Sequence, residues 1–138
     1  MGLFCRPAAM LWSAMAKLRL RVDLEPAGAV GPGKIELLER IDELGSIAAA
    51  GRAMRMSYRR AWELIDNINQ CFREPLVSKQ LGGTDGGGAK LTRLGRDVVR
   101  HYRAIEKKAA RAAAAHLSAL QAAGDKQPRQ AAGRADRD

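Results

Sequence analysis

Hydrophobic and polar residues alternate strictly along residues 18–24. The apolar positions are Leu18, Leu20, Val22 and Leu24, and arginine or aspartate stands between them. A period of two predicts a β-strand with one buried face. Pro26 and the glycines from Gly28 to Gly33 predict its end.

A helical spacing of apolar residues follows. Residues 34–44 place Ile35, Leu37, Leu38, Ile41 and Leu44 on one stripe, which predicts an amphipathic helix. Gly45 can end this helix in the left-handed conformation, and Ser46 can cap the next one.

The next two helices are predicted to cross closely. Residues 47–54 form a short alanine-rich helix, in which Ala49, Ala50 and Ala53 leave room for a neighbour. Arg55 and Met56 form a tight turn, and Ser57 caps a third helix that runs to about Phe72.

A glycine-rich hairpin and a long helix complete the pattern. Residues 76–81 and 89–91 are extended, and the segment Gly82–Gly88 between them contains five glycines in seven residues, which predicts a flexible loop. Thr92 or a near neighbour starts a helix that reaches about Ala122.

Three helices followed by a hairpin predict a mainly α (α+β) fold, the winged helix-turn-helix. We expect this domain to span residues 18–95, a long dimerisation helix residues 96–122, and a polar, disordered tail residues 123–138. We expect residues 1–17 to be an N-terminal extension or a mis-assigned start, with Met1, Met10 and Met15 as alternative first residues.

Composition excludes several classes of protein. Cys5 and Cys71 are the two cysteines of the chain, too few for a disulfide scaffold or a zinc site made of cysteines. The apolar stretch from Ala8 to Ala16 is too short to cross a bilayer. A cytoplasmic protein without a membrane segment is therefore expected.

Enzymatic chemistry is not indicated. His101 and His116 stand 15 residues apart without a nucleophile–base pattern, so we expect no catalytic residues, no metal and no cofactor. The glycine-rich segment is not a nucleotide-binding P-loop, because Ala89 separates Gly88 from Lys90.

The positive charge is concentrated. The net charge of the chain is +9, and Arg52, Arg55, Arg59 and Arg60 fall within nine residues without an acidic residue among them. Such a patch suits the phosphates of nucleic acid, although a solvated helix face is the alternative.

The third helix is the candidate recognition helix. Helical geometry places Arg59, Glu63, Asp66, Asn67 and Gln70 on its outer face. Arginine can bind guanine, and asparagine can bind adenine; for Glu63, Asp66 and Asn67 a merely solvated face is an equal alternative. The predicted DNA-binding residues are Arg52, Arg55, Ser57, Tyr58, Arg59, Arg60, Asn67, Lys79, Lys90 and Arg93.

The long helix carries a heptad-like series of apolar residues. Its members are Val98, Tyr102, Ile105, Ala109 and Ala112. Such a seam packs against another helix, and a second copy of the chain is the expected partner because one winged domain cannot cover so long a helix. Packing on its own domain is the alternative.

The residues also resemble a known family. Gly45–Ile47, the alanine-rich helix, Met56–Trp62 and Gly86–Thr92 resemble the N-terminal DNA-binding domain of ModE-type molybdate-responsive regulators, over about residues 18–115. LysR-type regulators share fewer of these elements. The chain departs from the family pattern at Gly51, where alanine is typical, at Arg55, where glycine is frequent, and at Thr84-Asp85, where lysine and glycine are common.

The resemblance implies a dimeric, sequence-specific regulator that binds double-stranded DNA, with molybdenum transport or cofactor genes as its targets. ModE-type regulators sense molybdate with a separate C-terminal domain, and about 16 residues follow the long helix here. We therefore expect a stand-alone DNA-binding domain that does not bind molybdate. The alternative is a winged-helix module that binds a separately encoded sensor, or a LysR-like DNA-binding fragment.

Overall fold

The structure, a computed structural model, describes residues 16–26, 28–80 and 88–124. The predictions for residues 1–15, for the loop 81–87 and for the tail from residue 125 lie outside these ranges. The chain divides into a unit Arg19–Lys107 and a second unit formed by Met1–Leu18 and Lys108–Asp138. The elements are β1 (Val22–Asp23), β2 (Ala29–Val30), α1 (Pro32–Leu44), α2 (Ile47–Ala53), α3 (Tyr58–Cys71), β3 (Val77–Gln80), β4 (Gly88–Leu91), α4 (Arg93–Ala112) and α5 (Ala114–Gly124).

The predicted first strand is shorter than its alternating pattern. Leu20, Val22 and Leu24 are half-buried as expected, but two residues only, Val22 and Asp23, pair with the antiparallel β2. The partner strand ends at Val30 because Gly31 and Pro32 begin α1. The length of a strand therefore depends on its partner strand, and the alternation of apolar residues does not indicate how long that partner is.

The junction between α1 and α2 is confirmed. α1 begins two residues earlier than predicted, with Pro32 in its first turn, where the missing N–H costs nothing. Gly45 has φ 72° and its N–H donates to Ile41 O, and Ser46 Oγ accepts from Ala49 N–H at 3.1 Å. Leu44 is 46% exposed rather than part of the buried stripe, because it stands at the end of the helix.

The close crossing of α2 and α3 involves Gly51 rather than Ala53. Ala50 and Ala61 are fully buried, Gly51 is buried, and Ala53 is exposed, so its predicted role is wrong. A Cβ atom at Gly51 would lie 3.2 Å from Ala61 Cβ, so alanine there would push the two helices apart by a few tenths of an ångström.

Arg55 adopts the left-handed conformation in the turn that follows α2. Its φ is 59°, and Met56 N–H donates to Gly51 O at 2.9 Å while Met54 N–H donates to Ala50 O. This is the helix ending that glycine usually completes. The arginine is accommodated at a cost of about 1–2 kcal/mol of backbone strain.

α3 presents one buried and one exposed face. Ala61, Ile65 and Ile68 are buried, and the five positions predicted for the outer face are all exposed. Ser57 caps the helix, since its Oγ accepts from Arg60 N–H at 3.0 Å. The helix ends one residue before the predicted Phe72.

The hairpin forms a wing against the helices. Val77 pairs with Leu91 and Lys79 with Ala89 in an antiparallel register. Ala89 N–H donates to Gly45 O at 2.9 Å, which ties the wing to the α1–α2 turn. Gly95 lies directly against the backbone of Leu76, so a side chain there would collide with it.

The long C-terminal helix is present. It begins at Arg93, a near neighbour of Thr92 as predicted, and Thr92 Oγ1 caps it by accepting from Gly95 N–H at 3.0 Å. A local irregularity at Ala113 separates α4 from α5, although Ala113 N–H donates to Ala109 O and Leu117 N–H to Ala113 O in helical fashion. Helical structure continues to Gly124, two residues beyond the predicted end.

The core of the unit Arg19–Lys107 is drawn from β2, from the helices α1 to α4 and from the wing. Its members are Val30, Ile35, Leu37, Leu38, Ile41, Ile47, Ala50, Ala61, Ile65, Ile68, Leu76, Val77, Ala89, Leu91 and Tyr102. Among the described residues, none of the helices is both long and apolar enough to cross a membrane.

Candidate nucleic-acid interface

The capped start of α3 gathers the strongest candidates. Ser57 fixes the beginning of the helix, and Tyr58, Arg59 and Arg60 stand in its first turn with exposed side chains. Arg59 is 89% exposed. The positive end of the helix dipole adds to the two guanidinium charges, so this turn attracts anions.

The other two arginines of the cluster precede α3 in the chain. Arg52 lies in the last turn of α2 and Arg55 in the left-handed turn, both with exposed side chains. The turn of the helix-turn-helix motif therefore carries cations on both sides, as the sequence pattern predicts.

Glu63 pairs with both arginines of the first turn. Its Oε2 lies 3.4 Å from Arg59 Nε, and its Oε1 lies 3.6 Å from Arg60 Nη1. Glu63 was predicted to lie on the outer face of α3, without an assigned role. The i,i+3 and i,i+4 spacing is the signal that indicates these pairs.

The wing meets α3 through Lys79. Its Nζ lies 4.5 Å from the centre of the Trp62 ring, and Tyr58 packs edge-on against the same ring at 6.1 Å between centroids. A cation over an aromatic face is attracted by its quadrupole. Trp62 thus joins a predicted wing residue to a predicted residue of α3, a contact that the sequence analysis missed.

Lys90 and Arg93 are exposed, on β4 and in the first turn of α4 respectively. Neither side chain makes a hydrogen bond or an ion pair with a residue of α3 among the described residues. They flank the wing, and the cluster at the start of α3 does not include them.

Asn67 is held by a lysine from α1. Lys34 Nζ donates to Asn67 Oδ1 at 2.6 Å and to Ala29 O at 2.9 Å. Bidentate recognition of adenine needs the amide oxygen of asparagine as an acceptor, and here Lys34 already uses it. Lys34 is a cation beside α3 that the sequence analysis did not single out.

A groove between α1 and α4 carries acidic and basic side chains together, unlike the cluster of four arginines around the start of α3. Its volume is about 710 Å³. Arg103 donates to both carboxylate oxygens of Glu39 at 2.9 and 2.6 Å and to Glu106 at 2.6 Å. The hydrogen bonds that it donates to Glu39 raise the pKa of the arginine. The lining residues are Glu36, Glu39, Arg40, Asp42, Glu43, Leu91, Arg96, Val99, Arg100 and Arg103.

The predicted dimerisation seam is not uniform. Tyr102 is 3% exposed, and its hydroxyl donates to Leu20 O at 2.6 Å, so this ring belongs to the core of its own unit and is not open to a partner. Val98 is half-buried against the same core. Ile105 is 45% exposed, while Ala109 is half-buried and Ala112 exposed.

No group of three or more potential ligands for a metal ion occurs among the described residues. The hydrogen bond from Arg100 lowers the pKa of Asp97, and burial raises the pKa of Tyr102. These two groups lie in α4.

A helix-turn-helix followed by a two-stranded wing defines a winged-helix protein. No family model matches the chain. It is 42% identical over 88 residues to the molybdenum transport protein ModE of Azotobacter vinelandii, which covers 64% of this chain and 33% of that protein. It is 36% identical over 87 residues to the DNA-binding transcriptional dual regulator ModE of Escherichia coli, covering 63% and 33%.

A third relative is the molybdenum-pterin-binding protein MopA of Rhodobacter capsulatus, 38% identical over 87 residues, or 62% of this chain and 33% of that protein. The chain spans about a third of the length of these curated relatives. The resemblance to the N-terminal part of ModE-type regulators is confirmed, at 36% to 42% identity over 62% to 64% of this chain.

Proposed function

We propose that this chain is a ModE-like transcriptional regulator that binds double-stranded DNA with sequence specificity through α3. The observation that supports this most is the capped first turn of α3, which carries Arg59 and Arg60 on an exposed surface. A helix of this kind enters the major groove with its N-terminal residues first.

The contacts divide into two kinds. Arg59 and Arg60 read base edges, because arginine donates to both acceptors of guanine. Arg52, Arg55, Lys90 and Arg93 bind phosphates, which fix the orientation of the helix without reading sequence.

Ser57 and Tyr58 support this arrangement. Ser57 holds the start of the helix, and the exposed hydroxyl of Tyr58 can donate to a phosphate. Lys79 stays on Trp62 and orients the wing against α3. Asn67 can donate to DNA through its amide NH2 group while its oxygen accepts from Lys34.

The proposed assembly is a homodimer. Ile105 is a large apolar side chain left half-exposed on α4, and Ala109 and Ala112 continue the same helical spacing. A twofold dimer would set two copies of α3 about 34 Å apart, one turn of DNA. The operator would then be palindromic.

The dimer is tested with a charge on α4. Ile105→Glu should give a monomer in sedimentation velocity and weaken operator binding, while Leu44→Glu, which changes an equally exposed apolar residue on α1, should leave the dimer intact. A monomeric wild-type protein, or two variants that behave alike, would contradict the proposed seam.

The names of the relatives support a proposal for the regulated genes. Their names refer to molybdenum transport and transcriptional regulation, and we extend these to genes of molybdenum metabolism read by this protein in the cytoplasm. Molybdate itself is not proposed as a ligand of this chain.

Sequence-specific binding is tested by selection from a pool of random duplexes. The wild-type protein should enrich a palindromic motif with half-sites one helical turn apart. Arg59→Ala together with Arg60→Ala should abolish the enrichment. Enrichment of no motif by the wild-type protein would contradict the proposed function and favour a module that binds another protein.

A further inference from the structure

Glu63 stands where an acidic residue is unfavourable for a surface that binds DNA. Its carboxylate oxygens lie 3.4 Å from Arg59 Nε and 3.6 Å from Arg60 Nη1. All three side chains are exposed, and exposed ion pairs contribute at most about 1 kcal/mol to folding. The fold therefore has little need of this carboxylate.

We propose that Glu63 is a specificity-determining residue, which accepts a hydrogen bond from a cytosine amino group and disfavours contact of α3 with phosphates alone. The inference rests on the proposed function and assigns it one further base contact.

Repulsion supplies the first part of the effect. A carboxylate between two guanidinium groups lowers the positive potential at the start of α3. Phosphates that approach Arg59 or Arg60 also approach Glu63, so contact with the backbone alone disrupts two ion pairs and adds a repulsion between like charges.

Base recognition supplies the second part. In the major groove, glutamate can accept a hydrogen bond from N4 of cytosine, and arginine donates to O6 and N7 of guanine. Glu63 follows Arg59 by one helical turn, a rise of about 6 Å along α3. That rise is less than two base-pair steps of about 3.4 Å, so the two side chains reach neighbouring base pairs.

Asp66 lies on the same outer face and does not fit this role as well. It makes no ion pair with an arginine among the described residues, and it lies a further turn from the capped end of the helix. The arrangement of one carboxylate with two arginines therefore singles out Glu63.

The test compares Glu63→Gln with the wild-type protein on a selected operator and on a random duplex. Glutamine keeps the length of the side chain and removes its charge. We expect affinity for the random duplex to rise about two- to fivefold. We expect the ratio of specific to random affinity to fall about five- to a hundredfold.

Selection with this variant should also change the motif at one position of each half-site. Glutamine pairs well with adenine, so a cytosine selected by the wild-type protein should give way to adenine or to mixed bases.

Asp42→Asn is the matched control. It makes the same change in net charge within the groove between α1 and α4, and it should leave both the ratio and the motif unchanged. Thermal unfolding should show that both variants are folded.

If Glu63→Gln keeps the wild-type ratio and motif, the role of Glu63 is wrong while the proposed function stands. If the wild-type protein itself does not discriminate between the two duplexes, both the role of Glu63 and the proposed function are wrong.

Discussion

Arg59 at the start of α3 and Arg103 in α4 lie on surfaces of opposite character. Arg59 is 89% exposed and makes one ion pair with Glu63 at 3.4 Å. Arg103 is 40% exposed and makes three charge-assisted hydrogen bonds with Glu39 and Glu106. The first guanidinium can exchange its partner for a ligand at little cost, whereas the second joins two helices.

The same contrast extends to the surroundings. Four arginines lie on or just before the first turn of α3 within nine residues, whereas acidic residues of α1 face the arginines of α4 across the groove. A count of basic residues along the chain does not distinguish the start of α3 from the groove between α1 and α4. The positions of the acidic side chains distinguish these two surfaces, and they decide which arginines are accessible to phosphates.

The largest expected effect is a contrast between alanine variants of these two arginines, one of which should lose DNA affinity and the other stability. Arg59→Ala should weaken operator binding by about 1–3 kcal/mol, or about five- to a hundredfold, and change stability by less than about 0.5 kcal/mol. Arg103→Ala should lower the stability of the protein and leave its operator affinity close to that of the wild-type protein.

For Arg103→Ala we expect a loss of stability of about 1 kcal/mol, because Glu39 and Glu106 lose their partner at a half-exposed site. Fluorescence anisotropy on operator DNA and thermal unfolding measure the two properties. If both variants lose affinity and stability in parallel, the two surfaces do not differ as described.

A smaller effect is expected at the turn between α2 and α3. Arg55→Gly should raise the free energy of unfolding by about 0.5–1 kcal/mol, because glycine adopts the left-handed conformation without strain. The same change should weaken DNA binding, since one phosphate contact is lost.

Arg55→Lys is the control for this prediction. It keeps the charge and the strain, and should resemble the wild-type protein in urea unfolding and in DNA binding. An Arg55→Gly variant of unchanged stability would show that the turn is not strained.

The smallest effect concerns the two tyrosines. Burial raises the pKa of Tyr102, and the charge of Glu106 adds to the shift. The stability that depends on the neutral hydroxyl is present below about pH 10 and is lost as the pH rises towards the folded-state pKa. Wild-type stability should therefore fall as the pH rises above about 10.

Tyr102→Phe should reduce this alkaline loss, although it is expected to lower stability at neutral pH because Leu20 O loses its hydrogen bond. Tyr58→Phe alters a tyrosine that is 59% exposed, and should follow the wild-type pH profile. Chemical unfolding at several pH values gives the comparison. A Tyr102→Phe profile as steep as that of the wild-type protein would contradict the prediction.

Local signals predicted the helix boundaries well. Gly45, Ser46, Ser57 and Thr92 act within one turn of their own helix, so their residue types suffice. The strand β1 was predicted too long, because its pairing depends on β2. Tyr102 fits the heptad spacing equally well whether it faces a partner or the core, and only the packed structure separates these two cases.

In the candidate site, too, features set by one helix could be predicted, and contacts between different elements could not. The exposure of Arg59 and Arg60 follows from helical geometry, and the ion pairs of Glu63 could have been found from their spacing. The contacts Lys79–Trp62 and Lys34–Asn67 join residues from different elements, and the Glu39–Arg103 pair spans 64 residues. Such contacts depend on how the elements pack, which a single sequence does not report.

The salt dependence of DNA binding tests the central claim most directly. The logarithm of the binding constant should fall steeply with the logarithm of the salt concentration, by about 0.9 for each phosphate contact. Removing Arg52 and Arg55 together should reduce this slope by about two per chain, whereas removing Arg96 and Arg100 from the groove should leave it unchanged. A flat wild-type response, or an equal reduction in both double variants, would contradict the assignment of DNA binding to the α3 surface.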